Sequence, residues 1–262
     1  MTTTQQRNRT NHDPQSDPRV ALVTGGNRGL GLATARRLGR EGVTVVIGAR
    51  DADLARAAVA GLRAEGVWAS AVPLDVDDAA STRAAAERIR REHGRLDILV
   101  NNAGILPEAT APQVLDPLDP DLFLRTFRTN VLGAVAVTAA VLPLLVHSER
   151  GRVVNVSSRM GSLSDQLDPA SPYHALVVPA YQSSKAALNG LTVALAKKLA
   201  GTRVKVNSVC PGWVQTDLGG ADNRAAAPTA AEEAAKVVVR AALLDDAGPS
   251  GGFFDADGPV PW

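Results

Sequence analysis

Three clusters of residues in this 262-residue chain have types and spacings that could do chemistry. The first is Thr24-Gly25-Gly26-Asn27-Arg28-Gly29-Leu30-Gly31, where a short apolar run gives way to helix formers. Glycine lets a backbone turn sharply and approach a ligand closely. A helix opening there aims free N–H groups and the positive end of its dipole at an anion. After a strand and before a helix, such a turn suits a dinucleotide pyrophosphate. The second cluster is Gly48-Ala49-Arg50-Asp51, at the end of the next apolar run. A carboxylate at that point would take the ribose 2′-hydroxyl of NAD, whereas a cation would take the 2′-phosphate of NADP. Arg50 is that cation, and Arg28 inside the turn could close on the same phosphate from the other side. Asp51 competes for the hydroxyl role, but just ahead of a helix starting near Ala52 it suits an N-cap. The third cluster is Tyr181 with Lys185, one helical turn apart on a shared face. A nearby ammonium lowers a phenol's pKa from about 10, although such pairs are also common surface neighbours.

Stepping from these residues to their supports, the chain alternates short apolar runs with helix formers. Strands are expected at Arg19–Thr24, Val43–Gly48, Trp68–Leu74, Leu96–Val100, Arg152–Val156, Val204–Val209 and Gly252–Asp255. Helices are expected at Leu30–Glu41, Asp51–Glu65, Ala79–His93 and Ala180–Ala200. Another should fill Asp121–His147, broken near Gly133 and at Pro143. Gly42 and Gly66 follow two of these helices as C′ residues would. Such alternation means right-handed βαβ units and a parallel sheet covered on both faces. No composition break divides the chain after residue 18, so a single domain over 19–262 is expected. The polar segment 1–18 reads as a disordered tail with no apolar core for a signal peptide.

Composition excludes more than it assigns. With 28 basic and 27 acidic residues the net charge is +1, and no basic run marks a nucleic-acid or membrane surface. Aromatics are 3% of the chain, so Val, Leu and Ala must build the core. Cys210 is the only cysteine, which rules out an intrachain disulfide and suits a reducing, cytoplasmic setting. It reads as a packing residue. His12, His93, His147 and His174 share no metal-ligand spacing, so no metal is expected. No run approaches the length of a membrane span.

Three further motifs, Asn101-Asn102-Ala103-Gly104, Val154-Asn155-Val156-Ser157-Ser158 and Cys210-Pro211-Gly212-Trp213-Val214-Gln215-Thr216, join Tyr181-Gln182-Ser183-Ser184-Lys185 at strand ends or the loops beyond. In this order, after the glycine turn, the chain resembles the short-chain dehydrogenase/reductase family over about residues 19–258. The resemblance implies a Rossmann-type, doubly wound, seven-stranded α/β fold in one domain. It implies NADP(H) held by Gly25, Asn27, Arg28, Gly29, Leu30, Gly31, Arg50, Asp75, Val76, Asn102, Ala103, Gly104, Tyr181, Lys185, Pro211, Gly212, Val214 and Thr216. It also makes Tyr181 the acid that protonates a carbonyl oxygen, with Lys185 lowering the phenol's pKa. Ser158 would orient the substrate oxygen; it is preferred to Ser157 because Arg159-Met160-Gly161 completes the family's Ser-x-x-Gly. Asn130 matches the helix asparagine thought to hold a relay water, although a buried asparagine commonly serves only backbone groups.

The gap of 22 residues between Ser158 and Tyr181 is wider than the family's common spacing. The extra stretch within Leu163–Pro179 contains three prolines and should be a loop or short broken helix beside the substrate pocket. Tyr173 lies in it, but Val177, not a lysine, follows four residues later. The ending Gly251-Gly252-Phe253-Phe254-Asp255 through Pro261-Trp262 is most similar to the carbonyl reductase branch. The leading expectation is therefore NADPH-dependent reduction of an aldehyde, ketone or quinone-like carbonyl. The alternatives are an alcohol dehydrogenase working oxidatively with NAD(P)+ and a non-catalytic NADP-binding regulator. Assembly follows from the helices around Gly133–His147 and Ala180–Ala200, apolar over much of their circumference and so in need of outer cover. The carbonyl reductase branch supplies it through such an insertion, which predicts a monomer. Elsewhere in the family a partner subunit supplies it, which makes a homodimer the alternative.

Overall fold

The computed structural model describes residues 18–110 and 118–262. The tail expected over 1–18 lies, but for Pro18, outside the described residues. Seven parallel strands form one sheet: β1 (Val20–Thr24), β2 (Thr44–Ala49), β3 (Ala69–Pro73), β4 (Ile98–Asn101), β5 (Arg152–Val156), β6 (Lys205–Val209) and β7 (Phe253–Phe254). Their order is β3-β2-β1-β4-β5-β6-β7. Strand order reverses between β1 and β4, the switch point outside which open α/β sheets bind ligands.

The sheet is buried on both faces because its strands are near-continuous apolar runs. In β1, Ala21 and Val23 enter one core layer while Val20 and Leu22 enter the other. The first layer is closed by α1 (Gly29–Arg40), α2 (Ala52–Ala64) and α9 (Ala231–Ala242). The second is closed by α3 (Ala79–His93), α5 (Ala134–His147) and α7 (Pro179–Lys198). Short helices α6 (Leu163–Leu167) and α8 (Gly220–Ala226) decorate the carboxyl end of the sheet, and α4 (Pro120–Phe127) leads toward α5.

Two differences from expectation concern helices. Helix α9 was not foreseen; its apolar face, with Ala234, Ala235, Val238 and Ala242, packs against α1 and beneath β4–β6. The Asp121–His147 helix was expected to break twice. Near Gly133 it does widen, into a π-turn over Arg128–Gly133, but it runs through Pro143 unbroken. Val137, Val141 and Leu145 are buried around that proline, and this packing outweighs its local cost. The run Pro120–His147 is also long and apolar enough to cross a membrane, with mean hydropathy 2.0 over its most apolar window, contrary to the sequence expectation. Here it is a core helix, its inner face closed by α3 and the sheet.

Candidate active site

All five motifs converge on the carboxyl end of β1, β4, β5 and β6. The glycine turn links β1 to α1, with Gly25 and Gly29 at φ 63° and 51°, where a side chain would be strained. A Cβ at Gly31 would lie 2.4 Å from the Gly25 carbonyl oxygen, so only glycine lets the helix start fold back on the turn. Helix α1 begins without a side-chain cap and without an acidic residue in its first turn. By contrast Asp51 caps α2 by accepting from Asp53 and Leu54 N–H, both at 2.9 Å, the N-cap role expected for it. The α1 donors are thus left without a side-chain acceptor, the condition a phosphate site requires.

Thr24 ties this turn to the loop after β4. Its Oγ1 accepts from the N–H of Asn102 (3.0 Å) and Ala103 (2.9 Å), and Asn102 Nδ2 donates to Thr24 O at 2.8 Å. Across the cleft, a Cβ at Gly29 would touch Thr216 at 3.2 Å, so Thr216 faces the turn. Gly212, at φ 81°, bends the loop that carries Pro211, Val214 and Thr216. Arg28 pairs at 3.6 Å with Asp217, which also takes Arg224 at 2.9 Å. Arg50 is exposed at the end of β2. Beyond β3, the carboxylate of Asp75 accepts from Asp77 N–H at 3.0 Å, and Val76 packs its side chain in the core.

Tyr181 and Lys185 are both nearly inaccessible, at 6% and 5% exposure. Lys185 Nζ stands 5.4 Å from the centre of the Tyr181 ring and donates to Val156 O at 2.8 Å. Ser158 lies two residues beyond the end of β5, its side chain beside the Tyr181 phenol, and accepts from Met160 N–H at 3.1 Å. Burial pushes the lysine down to about 8, because a charged group is costly away from water. Burial pushes the Tyr181 phenol well above its ordinary value, against a smaller lowering by the Ser158 hydrogen bond. The sequence reading expected the phenol lowered by the lysine; desolvation acts in the opposite direction and prevails.

Asn130 sits in the π-turn, a distortion that often marks functional sites. Its Oδ1 accepts from Ile105 N–H at 2.8 Å, and Nδ2 donates to Ile105 O and Ser184 Oγ, each at 3.0 Å. The side chain therefore braces the loop after β4 against α7. A Cβ at Gly104 would lie 3.3 Å from Asn130 Oδ1 and 3.8 Å from Lys185 Nζ, which places all three in one contact. Below them a polar row crosses the sheet: Asn101 Nδ2 donates to Asn155 Oδ1 (2.9 Å), and Asn155 Nδ2 to Thr192 Oγ1 (2.8 Å).

The wide gap between Ser158 and Tyr181 holds α6 and its flanking loop. Arg159 grips Asp165 with two hydrogen bonds (2.7 and 2.8 Å), and its guanidinium stands 5.4 Å from the Tyr173 ring centre. Ser164 donates to Trp262 O from N–H at 3.0 Å and from Oγ at 2.7 Å. Tyr173 is thus a wall residue of the insertion. Cys210 is buried with Phe253 and Val260. Among the described residues, no cluster of His, Cys, Asp or Glu is placed to hold a metal.

A glycine turn opening an uncapped helix, with a buried Tyr–Lys pair and a half-buried serine at the same end of the sheet, defines a dinucleotide-dependent oxidoreductase. The chain belongs to the short-chain dehydrogenase family, whose model matches residues 19–227. Human carbonyl reductase [NADPH] 1 is 36% identical, with 93% of this chain and 98% of that protein covered. Among solved structures, NADPH-bound carbonyl reductase from chicken fatty liver matches with TM-score 0.79 and 27% identity, covering 94% of this chain and 99% of that one. A short-chain dehydrogenase from Burkholderia cenocepacia, solved with NADP, gives TM-score 0.77 and 33% identity over 92% and 97%.

Proposed function

We propose that the protein reduces an aldehyde, ketone or quinone-like carbonyl to the alcohol at the expense of NADPH. The observation that carries this reading is the buried phenol of Tyr181 between Ser158 and Lys185, opposite the uncapped start of α1. NADPH when bound supplies the hydride, and its 2′-phosphate gives Arg50 and Arg28 a doubly charged partner. The chain's own residues do the rest. Ser158 orients the carbonyl oxygen and stabilises the charge growing on it. Tyr181 delivers the proton to that oxygen while the carbon receives the hydride. Lys185 then faces the phenolate, and its positive charge favours that form. The human and chicken carbonyl reductases, named for NADPH, support the same cofactor and substrate class.

A panel of ketones, aldehydes and quinones with NADPH, followed by loss of its absorbance, tests the proposal; no turnover of any class would overturn it. Run beside it, Arg50→Asp is expected to weaken NADPH selectively and to affect NADH much less, since it sets a like charge against the phosphate. Equal losses with both cofactors would remove Arg50 from the 2′-phosphate site.

The insertion was expected to cover an outer helix face and leave a monomer. Its hydrogen bonds run to Gln182 on α7, one of the helices in need of cover, and to Arg159 and Trp262, while Leu124, Leu132, Val135 and Val146 stand exposed along α4, the π-turn and α5. A monomer is the expected state, with a homodimer through that exposed face as the alternative, and light scattering checks it: a mass of 27.2 kDa supports the monomer and twice that mass the homodimer. A cytoplasmic location goes with a buried, unpaired Cys210, and cell fractionation would test it.

A further inference from the structure

The structure assigns to Glu108 a positioning role that joins the loop after β4 to the start of the catalytic helix; this rests on the reading of Tyr181 given above. Helix α7 lacks a cap of its own. Val178 occupies its N-cap position without a side-chain bond, and Pro179 at the first helical position has no N–H to offer. The next two N–H groups, of Ala180 and Tyr181, are the ones a cap would satisfy. Both donate to a single carboxylate brought from more than 70 residues upstream: Ala180 N–H to Glu108 Oε1 and Tyr181 N–H to Glu108 Oε2, each at 2.9 Å. A negative charge there also complements the positive end of the helix dipole.

The same loop holds α7 a second time. Ile105 is clamped through both its N–H and its C=O by Asn130, whose Nδ2 also donates to Ser184 Oγ. Ser184 Oγ in turn donates to Tyr181 O at 2.7 Å. Tyr181 is therefore fixed by its N–H through Glu108 and by its C=O through Ser184, both anchored on residues 105–108. A local cap would satisfy the helix equally well but would not make this link. We infer that Glu108 sets where the Tyr181 phenol stands relative to Ser158 and Gly104, and that its loss slows the chemical step.

Purified Glu108→Ala, assayed with NADPH and a carbonyl compound that the unaltered chain reduces, should lose about 10- to 100-fold in kcat. KM and NADPH binding should change little. A primary isotope effect with 4-deuterated NADPH should rise as chemistry becomes limiting. The deciding variant is Glu108→Ala with Val178→Asp, which returns a carboxylate to the helix start from within α7. Tm should recover while kcat stays low. Recovery of both together would show Glu108 to be a cap and nothing more, and would overturn the inference. An unchanged kcat in Glu108→Ala would do the same. If Glu108→Ala is too unstable to assay, Glu108→Gln, with one accepting oxygen in place of two, should still lose kcat severalfold, and a full kcat overturns the inference. Failure of the unaltered chain to reduce any carbonyl is a separate result, which counts against the proposed function.

Discussion

Tyr181→Phe is expected to lower kcat for carbonyl reduction by about 100-fold or more while NADPH still binds. The substitution removes one oxygen and leaves the ring, so packing in this buried position is kept. What is lost is the proton that must reach the substrate oxygen as the carbon gains hydride. Tyr173→Phe is the control, because Tyr173 stands on Arg159 in the insertion and has no lysine beside it. Most activity should survive there; the opposite pattern would move the active site to the insertion. The unaltered protein should carry a signature of the same machinery. Lys185 is held down to about 8 by burial, so it is charged below that pH and neutral above it. Its charge favours the phenolate that proton transfer leaves behind, and kcat should therefore fall as pH rises through about 8. Lys185→Arg keeps the charge at all these pH values and should remove that limb. A kcat flat through this range in the unaltered chain would take Lys185 out of the step.

What the sequence made legible has a physical pattern. Strands buried on both faces are largely apolar, so β1, β2 and β4 could be located from short runs of Val, Leu and Ile, while β5 and β6 showed through Val alone between buried polar residues such as Asn155 and Asn207. Glycines at special backbone angles, such as Gly25 and Gly42, and the N-cap Asp51 mark element ends through local chemistry that needs no partner. Helix α9 was missed although Glu232 and Glu233 lie in its first turn and Val238 and Ala242 share its inner face. That helical pattern is local and legible in the sequence. Glu108 was missed for a different reason. A carboxylate that caps a helix more than 70 residues downstream carries no local signal, since its partners are two backbone N–H groups that any residue could supply. The direction of the Tyr181 shift was misjudged likewise, because spacing shows the lysine's proximity but not the depth of burial. The outer face of α5 shows the same limit: sequence revealed that it was apolar, while the path of the insertion is tertiary.

Gly161→Ala is expected to damage both stability and turnover although it adds a single methyl group. Gly161 closes the tight turn Arg159–Gly161 after Ser158 and is buried against α7. A Cβ there would lie 2.6 Å from the Lys185 carbonyl carbon and 2.7 Å from Ala186 N. Those are backbone atoms in the middle of a 20-residue helix, and they cannot rotate away as a side-chain tip would. The turn and the helix must therefore separate. Ser158 rides on one and Tyr181 with Lys185 on the other, so the separation opens the group that has to act together. Overpacking of this kind costs about 1–3 kcal/mol in stability. A displacement of about 1 Å between catalytic groups costs on the order of 100-fold in rate. Gly190→Ala supplies the comparison on the same helix: no atom lies within 4 Å of its added Cβ, the residue is exposed, and alanine is the better helix former. Gly190→Ala should leave kcat unchanged and hold or raise Tm, whereas Gly161→Ala should lower both. Equal behaviour of the two variants would mean that α7 can yield at Lys185, and the close approach of turn and helix would not be what sets the distance between Ser158 and Tyr181.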